Sequence, residues 1–174
     1  MLNTYRLTTL AFMLITTTVI VQANGFSYNY FDARVGASPE SMGGEFSMLL
    51  TDNVHIVTKL DSQIKGDWDI ASGIGFNGPL SPFMDIYGDM LLRYSELPKE
   101  DNVDSHTGVE LSVGLKTWIA EQTELHGKVG RYNDKSIAGV GVSFHSTEQL
   151  SVGGDILNNG RWGPQILMSV RLNY

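Results

Sequence analysis

From residue 26 to the C-terminus, apolar and polar side chains alternate with period two, the mark of β-strands with unlike faces. This signal dominates over the 3.6-residue period of helices. MDIYGDMLLRY sets Met84, Ile86, Gly88, Met90, Leu92 and Tyr94 on one face against Asp85, Tyr87, Asp89, Leu91 and Arg93 on the other. GVELSVGLKTWI sets Val109, Leu111, Val113, Leu115 and Ile119 against Glu110, Ser112, Gly114, Lys116 and Trp118. DWDIASGIGF sets Trp68, Ile70, Ser72, Ile74 and Phe76 against Asp67, Asp69, Ala71, Gly73 and Gly75. Each segment has one greasy face and one charged or tiny face.

The pattern predicts ten strands, near 28–37, 44–50, 54–61, 67–76, 83–95, 107–119, 124–132, 136–144, 149–157 and 164–174. Their connections alternate strictly between two kinds. TDN at 51–53, NGPLSP at 77–82, EQT at 121–123 and STE at 146–148 are tight and lightly charged. SPESMGG at 38–44, SQIKG at 62–66, LPKEDNVDSH at 97–106, NDK at 133–135 and NNGRWG at 158–163 are generally longer or more polar. Such alternation is what ten up-and-down antiparallel strands require, with both termini on the tight-turn side. Strands of about ten residues suit a tilted membrane crossing. Merging the short second and third segments would give eight strands instead. The chain offers no helix of appreciable length after the N-terminus and no second domain.

The N-terminus carries a different signal. MLNTYR has one Arg and no acid, LTTLAFMLITTTVIV is mainly apolar, and Val21-Gln22-Ala23 ends in the small-x-small manner of a signal-peptidase site. This predicts a cleaved signal peptide over residues 1–23 and a single mature domain over 24–174. A single anchoring helix is the alternative, but the stretch is short of a span and diluted by Thr. No later segment is apolar enough for a membrane helix. Composition narrows the classes further. The chain of 174 residues is 42% apolar and 18% charged, which disfavours disorder, and its net charge of −7 argues against a general nucleic-acid binder. Cysteine is absent, so there is neither a disulfide framework nor thiolate chemistry.

Alternation alone does not separate a membrane barrel from a soluble one, since both have an apolar and a polar face. The aromatics do. On the apolar face, Phe46, Trp68 and Tyr94 fall at strand ends next to the longer connections, and Phe76, Phe144 and Tyr174 at ends next to the tight turns. Between them lie mostly aliphatic residues and Gly. Two aromatic rings flanking an aliphatic band describe the outer surface of a transmembrane barrel.

The opposite face then lines the interior. It carries Asp32, Arg34, Lys59, Asp67, Asp69, Asp85, Asp89, Arg93, Glu110, Lys116, Lys128, Asp155 and Arg171, interleaved with Gly73, Gly75, Gly114, Gly139, Gly141 and Gly153. Buried charges need partners, so a self-satisfied charge network filling the lumen is expected. A narrow polar pathway, cation-leaning because acids outnumber bases, is the alternative.

The chain ends on Ile166, Met168, Val170, Leu172 and Tyr174, alternate apolar residues finishing on an aromatic. With the signal peptide and the up-and-down strands, this resembles the small outer-membrane β-barrel proteins of Gram-negative bacteria, the group that includes OmpA-type transmembrane domains and small porin-like barrels. The resemblance covers the whole mature chain. It implies an outer-membrane location, contact with lipid and lipopolysaccharide, and a last strand read by the barrel-assembly machinery during insertion. Phe is the usual last residue there, so Tyr174 is a mild departure. The fold hosts pores, enzymes, adhesins and plain anchors, so activity must be sought in the residues.

Some barrels of this size resemble lipid A deacylases or palmitoyltransferases, so a hydrolytic His with Ser and an acid deserves a test. His55, His126 and His145 fall near the tight turns and His106 in the longest outer loop. FHS sets His145 beside Ser146 on the periplasmic side with inward parity, the wrong end for outer-leaflet lipid A. DNVDSH lacks the dense carboxylate and Gly pattern of a calcium loop, so neither metal nor cofactor is expected. Arg131 has lipid-facing parity at the outer end of its strand. With Lys135 and Arg161 nearby, it is a candidate contact for lipopolysaccharide phosphates, and Trp162 a candidate interface anchor. The expectation is a non-enzymatic envelope structural or surface-interaction protein with a plugged lumen, with a narrow pore as its rival.

Overall fold

A computed structural model describes residues 25–64, 66–98 and 103–174, with backbone alone at 97–98 and 103–104. The signal peptide expected over residues 1–23 lies outside the described residues. Ten strands follow in order: β1 Tyr30–Ala37, β2 Ser41–Thr51, β3 Val54–Gln63, β4 Trp68–Ser81 and β5 Met84–Pro98 come first. Then come β6 Val103–Ala120, β7 Thr123–Tyr132, β8 Lys135–His145, β9 Leu150–Asn158 and β10 Pro164–Asn173. Each pairs antiparallel with its chain neighbours, and β1 pairs with β10, closing the barrel. Closure satisfies the backbone of both terminal strands, the condition for crossing hydrocarbon without an open edge. The eight-strand alternative is thereby excluded.

The faces sort by parity throughout. Phe76, Met90, Val113, Val129, Ile156 and Met168 stand exposed on the outside, whereas Asp32, Lys59, Asp69, Asp89, Arg93 and Glu110 are buried within. An exterior of exposed aliphatics around an interior of buried charge is the inverse of a soluble core and fits a wall solvated by lipid. Among the described residues, no helix is long and apolar enough to cross a membrane. The strands do the crossing.

Several details differ from the sequence reading. β2 begins at Ser41, so Ser41 to Gly44 of SPESMGG pair with β3. NGPLSP is strand as far as Ser81, pairing back onto β5, and the turn there is only Pro82-Phe83. LPKEDNVDSH is mostly hairpin rather than loop: Leu97 pairs with Asp104 and Pro98 with Val103, so His106 lies in β6 opposite Ser95. Continuing the ladder gives these backbone groups partners that a loop would have to find in water. Finally, Phe46 belongs to the tight-turn ring, not the outer one. Strand tilt sets its ring 6.2 Å from that of Tyr174, nearly parallel at 15°, a shift in height that sequence position along β2 does not reveal.

Candidate functional site in the lumen

Inward parity brings side chains from every wall onto one axis, and a ten-strand barrel is only slightly wider than the eight-strand case that side chains just fill. The centre is built on Lys59. Its Nζ lies 3.7 Å from Asp89 on β5, 3.7 Å from Glu110 on β6 and 4.0 Å from Glu45 on β2. One ammonium thus ties three strands besides its own.

Toward the longer-connection end, Arg34 donates Nε and Nη2 to the two Asp61 oxygens at 2.9 and 2.8 Å, and Nη1 to Glu45 at 3.1 Å. This planar fork is the geometry that suits a guanidinium to a carboxylate. Arg93 donates Nε to Asp69 at 2.8 Å and Nη1 to Glu110 at 3.1 Å and to the Asn159 carbonyl at 3.0 Å, with its guanidinium over the Tyr132 ring. Arg171 bridges Asp32 at 3.1 Å and covers the Tyr30 ring, whose hydroxyl donates to Glu45 at 2.6 Å.

Toward the tight-turn end the interior is aromatic and imidazole-rich. Lys116 Nζ sits 4.3 Å from the Tyr28 ring centroid, with Tyr30 and Tyr87 at 5.7 and 5.5 Å. These faces hold the cation by quadrupole attraction. His126 meets Asp155 at 2.6 Å, and His145 meets Glu124 at 3.3 Å. Gly75 and Gly114 leave the space taken by the His55 and Tyr87 rings, which a Cβ at either glycine would strike. The interior glycines therefore accommodate rings as well as charges. A small apolar layer of Val57, Ala71 and Leu91 completes the filling.

The space left around Lys59 is small. A chamber of about 90 Å³ lies among Tyr28, Lys59, Lys116, Lys128, Arg171 and their neighbours, and a second of about 30 Å³ lies nearer the longer connections. These are volumes for a few waters.

Twelve of the interior charges named from sequence face the lumen: Asp32, Arg34, Lys59, Asp69, Asp85, Asp89, Arg93, Glu110, Lys116, Lys128, Asp155 and Arg171. Asp67 lies half-buried in the turn before β4, where its backbone carbonyl accepts from the Gln63 amide at 2.7 Å and the Ser62 hydroxyl at 3.2 Å. Sequence reasoning passed over Glu45, Asp61, Glu124, Tyr28 and Tyr30, although parity places all of them beside residues it did select. Arg161 is a correction of a different kind. Its guanidinium turns into the mouth beside Asp69 and bonds Ser95, with a side chain only 4% exposed, so it faces away from the lipid surface. The cause is the Asn159 side chain, which accepts from the amides of Arg161 and Trp162 at 3.0 Å and folds the loop inward. Arg131 stays exposed at 68%, 3.7 Å from Asp134, with exposed Lys135 on the same hairpin.

No family model matches this chain, and no curated protein matches it. Among solved structures it is similar to the KdgM porin, with a TM-score of 0.53 at 8% identity over 83% of this chain and 99% of that one. The KdgM porin in complex with disordered oligogalacturonate gives 0.53 at 7% identity over the same shares. The NanC porin gives 0.47 at 9% identity over 83% and 98%. Likeness at this identity concerns the fold. Together with the closed wall, the lipid-facing exterior and the charged lumen, it describes an outer-membrane, porin-like β-barrel.

Proposed function

We propose that this barrel is closed at rest and serves the envelope as a structural or surface-interaction component without an enzymatic centre. The observation that carries the reading is Lys59, which holds carboxylates from three other strands across the axis, where the cavities beside it measure about 90 and 30 Å³. An ion crossing the lumen would have to break charge-assisted contacts that the few waters such a space holds only partly replace. Against a lipid A enzyme, His145 lines the tight-turn mouth of the barrel with Glu124, at the opposite end from the longer connections, and its neighbour Ser146 lies exposed in a turn. Of the three candidate contacts for lipopolysaccharide phosphates, Arg131 and Lys135 stay exposed at the outer surface. Single-channel recording in a planar bilayer tests the closed lumen. Absence of stable steps is expected, and reproducible conductance overturns it.

One observation favours a narrow pathway as the second reading. The two cavities share Arg34, Lys59, Lys128, Leu157 and Leu167 along their linings, so they lie in series. Cation-selective steps would establish that pathway. A polyanion such as the oligogalacturonate found in complex with the KdgM porin suits it poorly, because the carboxylates here outnumber the cations around the axis.

A further inference from the structure

Residues Gly25 to Asn29 precede the first paired strand, yet they do not trail away. Phe26 stacks on Trp118 with ring centroids 5.5 Å apart at 21°. The Tyr28 carbonyl accepts from Ser47 Oγ at 2.6 Å, and Asn29 Oδ1 accepts from the Leu49 amide at 2.7 Å. The Tyr28 side chain is 3% exposed and reaches across the barrel. Its ring lies 4.8 Å from that of His55 on β3, Lys116 of β6 rides on its face, and its hydroxyl is 3.3 Å from Asp85 on β5. A residue just before β1 therefore touches walls two, four and five strands away.

The cavities on either side give this placement its meaning. Beyond Tyr28 toward the tight turns opens a vestibule of about 560 Å³, lined by Gly25, Ser27, Trp118, His145 and Asn173 among others. Behind Tyr28 lies the chamber of about 90 Å³. The two share only Glu124 and Arg171 among their lining residues, and the segment from Gly25 to Tyr28 contributes to both.

We propose that Phe26 and Tyr28 form a latch that seals the lumenal chamber from the tight-turn vestibule, with the Tyr28 ring as the partition and Phe26 on Trp118 as its anchor. This rests on the closed-lumen reading and goes beyond it by naming the residue that closes one end. Tyr28 precedes the β1 ladder and its backbone is held to β2 through the Ser47 hydroxyl, so the seal is able to open without breaking a strand pair. The Lys59 layer lies further in and is untouched by the latch.

The natural chain has no cysteine, so one engineered thiol reports access cleanly. Ser169→Cys places it in the chamber wall. In detergent-solubilised full-length protein, a small methanethiosulfonate reagent should modify Cys at this position at least tenfold faster with Tyr28→Ala than with wild-type Tyr28. Tyr28→Phe should keep the protection, because the ring and not the hydroxyl forms the partition. Phe26→Ala, which removes only the anchor, should give a several-fold increase and serves if Tyr28→Ala does not fold. Heat-modifiable gel migration checks the fold of each variant. Equal labelling rates in all folded variants, with a silent bilayer recording, would overturn the latch while leaving the closed lumen standing. Labelling of the wild-type background as fast as an exposed Glu121→Cys control, together with conductance steps, would overturn both.

Discussion

Lys59 on β3 and Glu110 on β6 bring Nζ and Oε1 within 3.7 Å although two strands lie between them along the wall. A contact of this kind braces the barrel across its axis, something backbone pairing around the circumference does not do. It also explains how a lumen crowded with carboxylates tolerates them, since each buried acid near the centre has a cation within reach.

Removing one member of such a buried set strands the rest. Lys59→Met should destabilise the barrel by about 3 kcal/mol, the lower end of the cost of an uncompensated buried charge, because lumenal water relieves part of it. Urea unfolding in lipid vesicles measures this. A loss under about 0.5 kcal/mol, the level of an ordinary surface substitution, would show that the lumen is wet enough to make the brace irrelevant.

The glycines of the inner face can be tested by adding one carbon. Gly75→Ala sets a methyl against the His55 ring, which is buried and held through Asn77 at 3.1 Å, so it has nowhere to retreat. The expected cost is about 1–3 kcal/mol of overpacking. At Gly44 the added Cβ would meet its nearest atom, the Asp32 carbonyl, at 3.4 Å. Gly44→Ala should therefore change stability by less than about 0.5 kcal/mol. Equal effects in the same unfolding assay would mean that the inner glycines are not there for space.

The outer face has its own test. Val113 stands 47% exposed in the middle of β6, flanked outward by Leu111 and Leu115. Val113→Arg should cost about 2–4 kcal/mol if this band lies at the bilayer midplane, and Val35→Arg, near the longer-connection end, about 1 kcal/mol or less. A tolerated arginine at 113 would contradict the lipid-facing assignment.

The wall was readable from sequence because period two is a local property. MDIYGDMLLRY states its two faces without reference to any other strand, and the strict alternation of connections follows from chain order alone. What escaped depends on tilt and on chain segments that turn back. Phe46 joins Tyr174 only because the strands lean, and Arg161 enters the mouth only because Asn159 turns its loop. Tyr28 shares the inward parity of Tyr30 and Asp32, but nothing local says that its ring crosses to Asp85. Interior pairing was legible as a requirement of charge balance; which residues pair was not, since that depends on the register of strands distant in sequence.

Arg131 and Lys135 offer a narrower prediction about lipid. Both remain exposed at one hairpin, while Arg161 is committed to Asp69 and Ser95. The Arg131→Ala, Lys135→Ala double variant should lose lipopolysaccharide retention by native mass spectrometry, roughly tenfold for about 1.4 kcal/mol of phosphate contact. Arg161→Ala should leave retention unchanged and lower stability instead. The reverse assignment would return Arg161 to the surface role that its place in an outer loop first suggested.

The terminal residue separates packing from recognition. Tyr174 stacks on Phe46, and its hydroxyl donates to the Ser47 carbonyl at 3.1 Å, so the last side chain is fastened across the β1–β10 seam to β2. If its role is packing alone, Phe46→Leu and Tyr174→Leu should lower stability alike, by about 0.5–1.5 kcal/mol for the lost aromatic pair, and should reach the membrane in equal amounts. If the last strand is also read during insertion, as its resemblance implies, loss of Tyr174 should cut the inserted, heat-modifiable fraction several-fold in cells while Phe46→Leu does not. Tyr174→Phe, which keeps the ring and loses one hydrogen bond, should insert normally. Refolding into vesicles without any assembly factor supplies the control. There the Phe46 and Tyr174 variants should behave alike, so a difference confined to cells locates the effect in recognition, and equal insertion in cells would reduce Tyr174 to a packing residue.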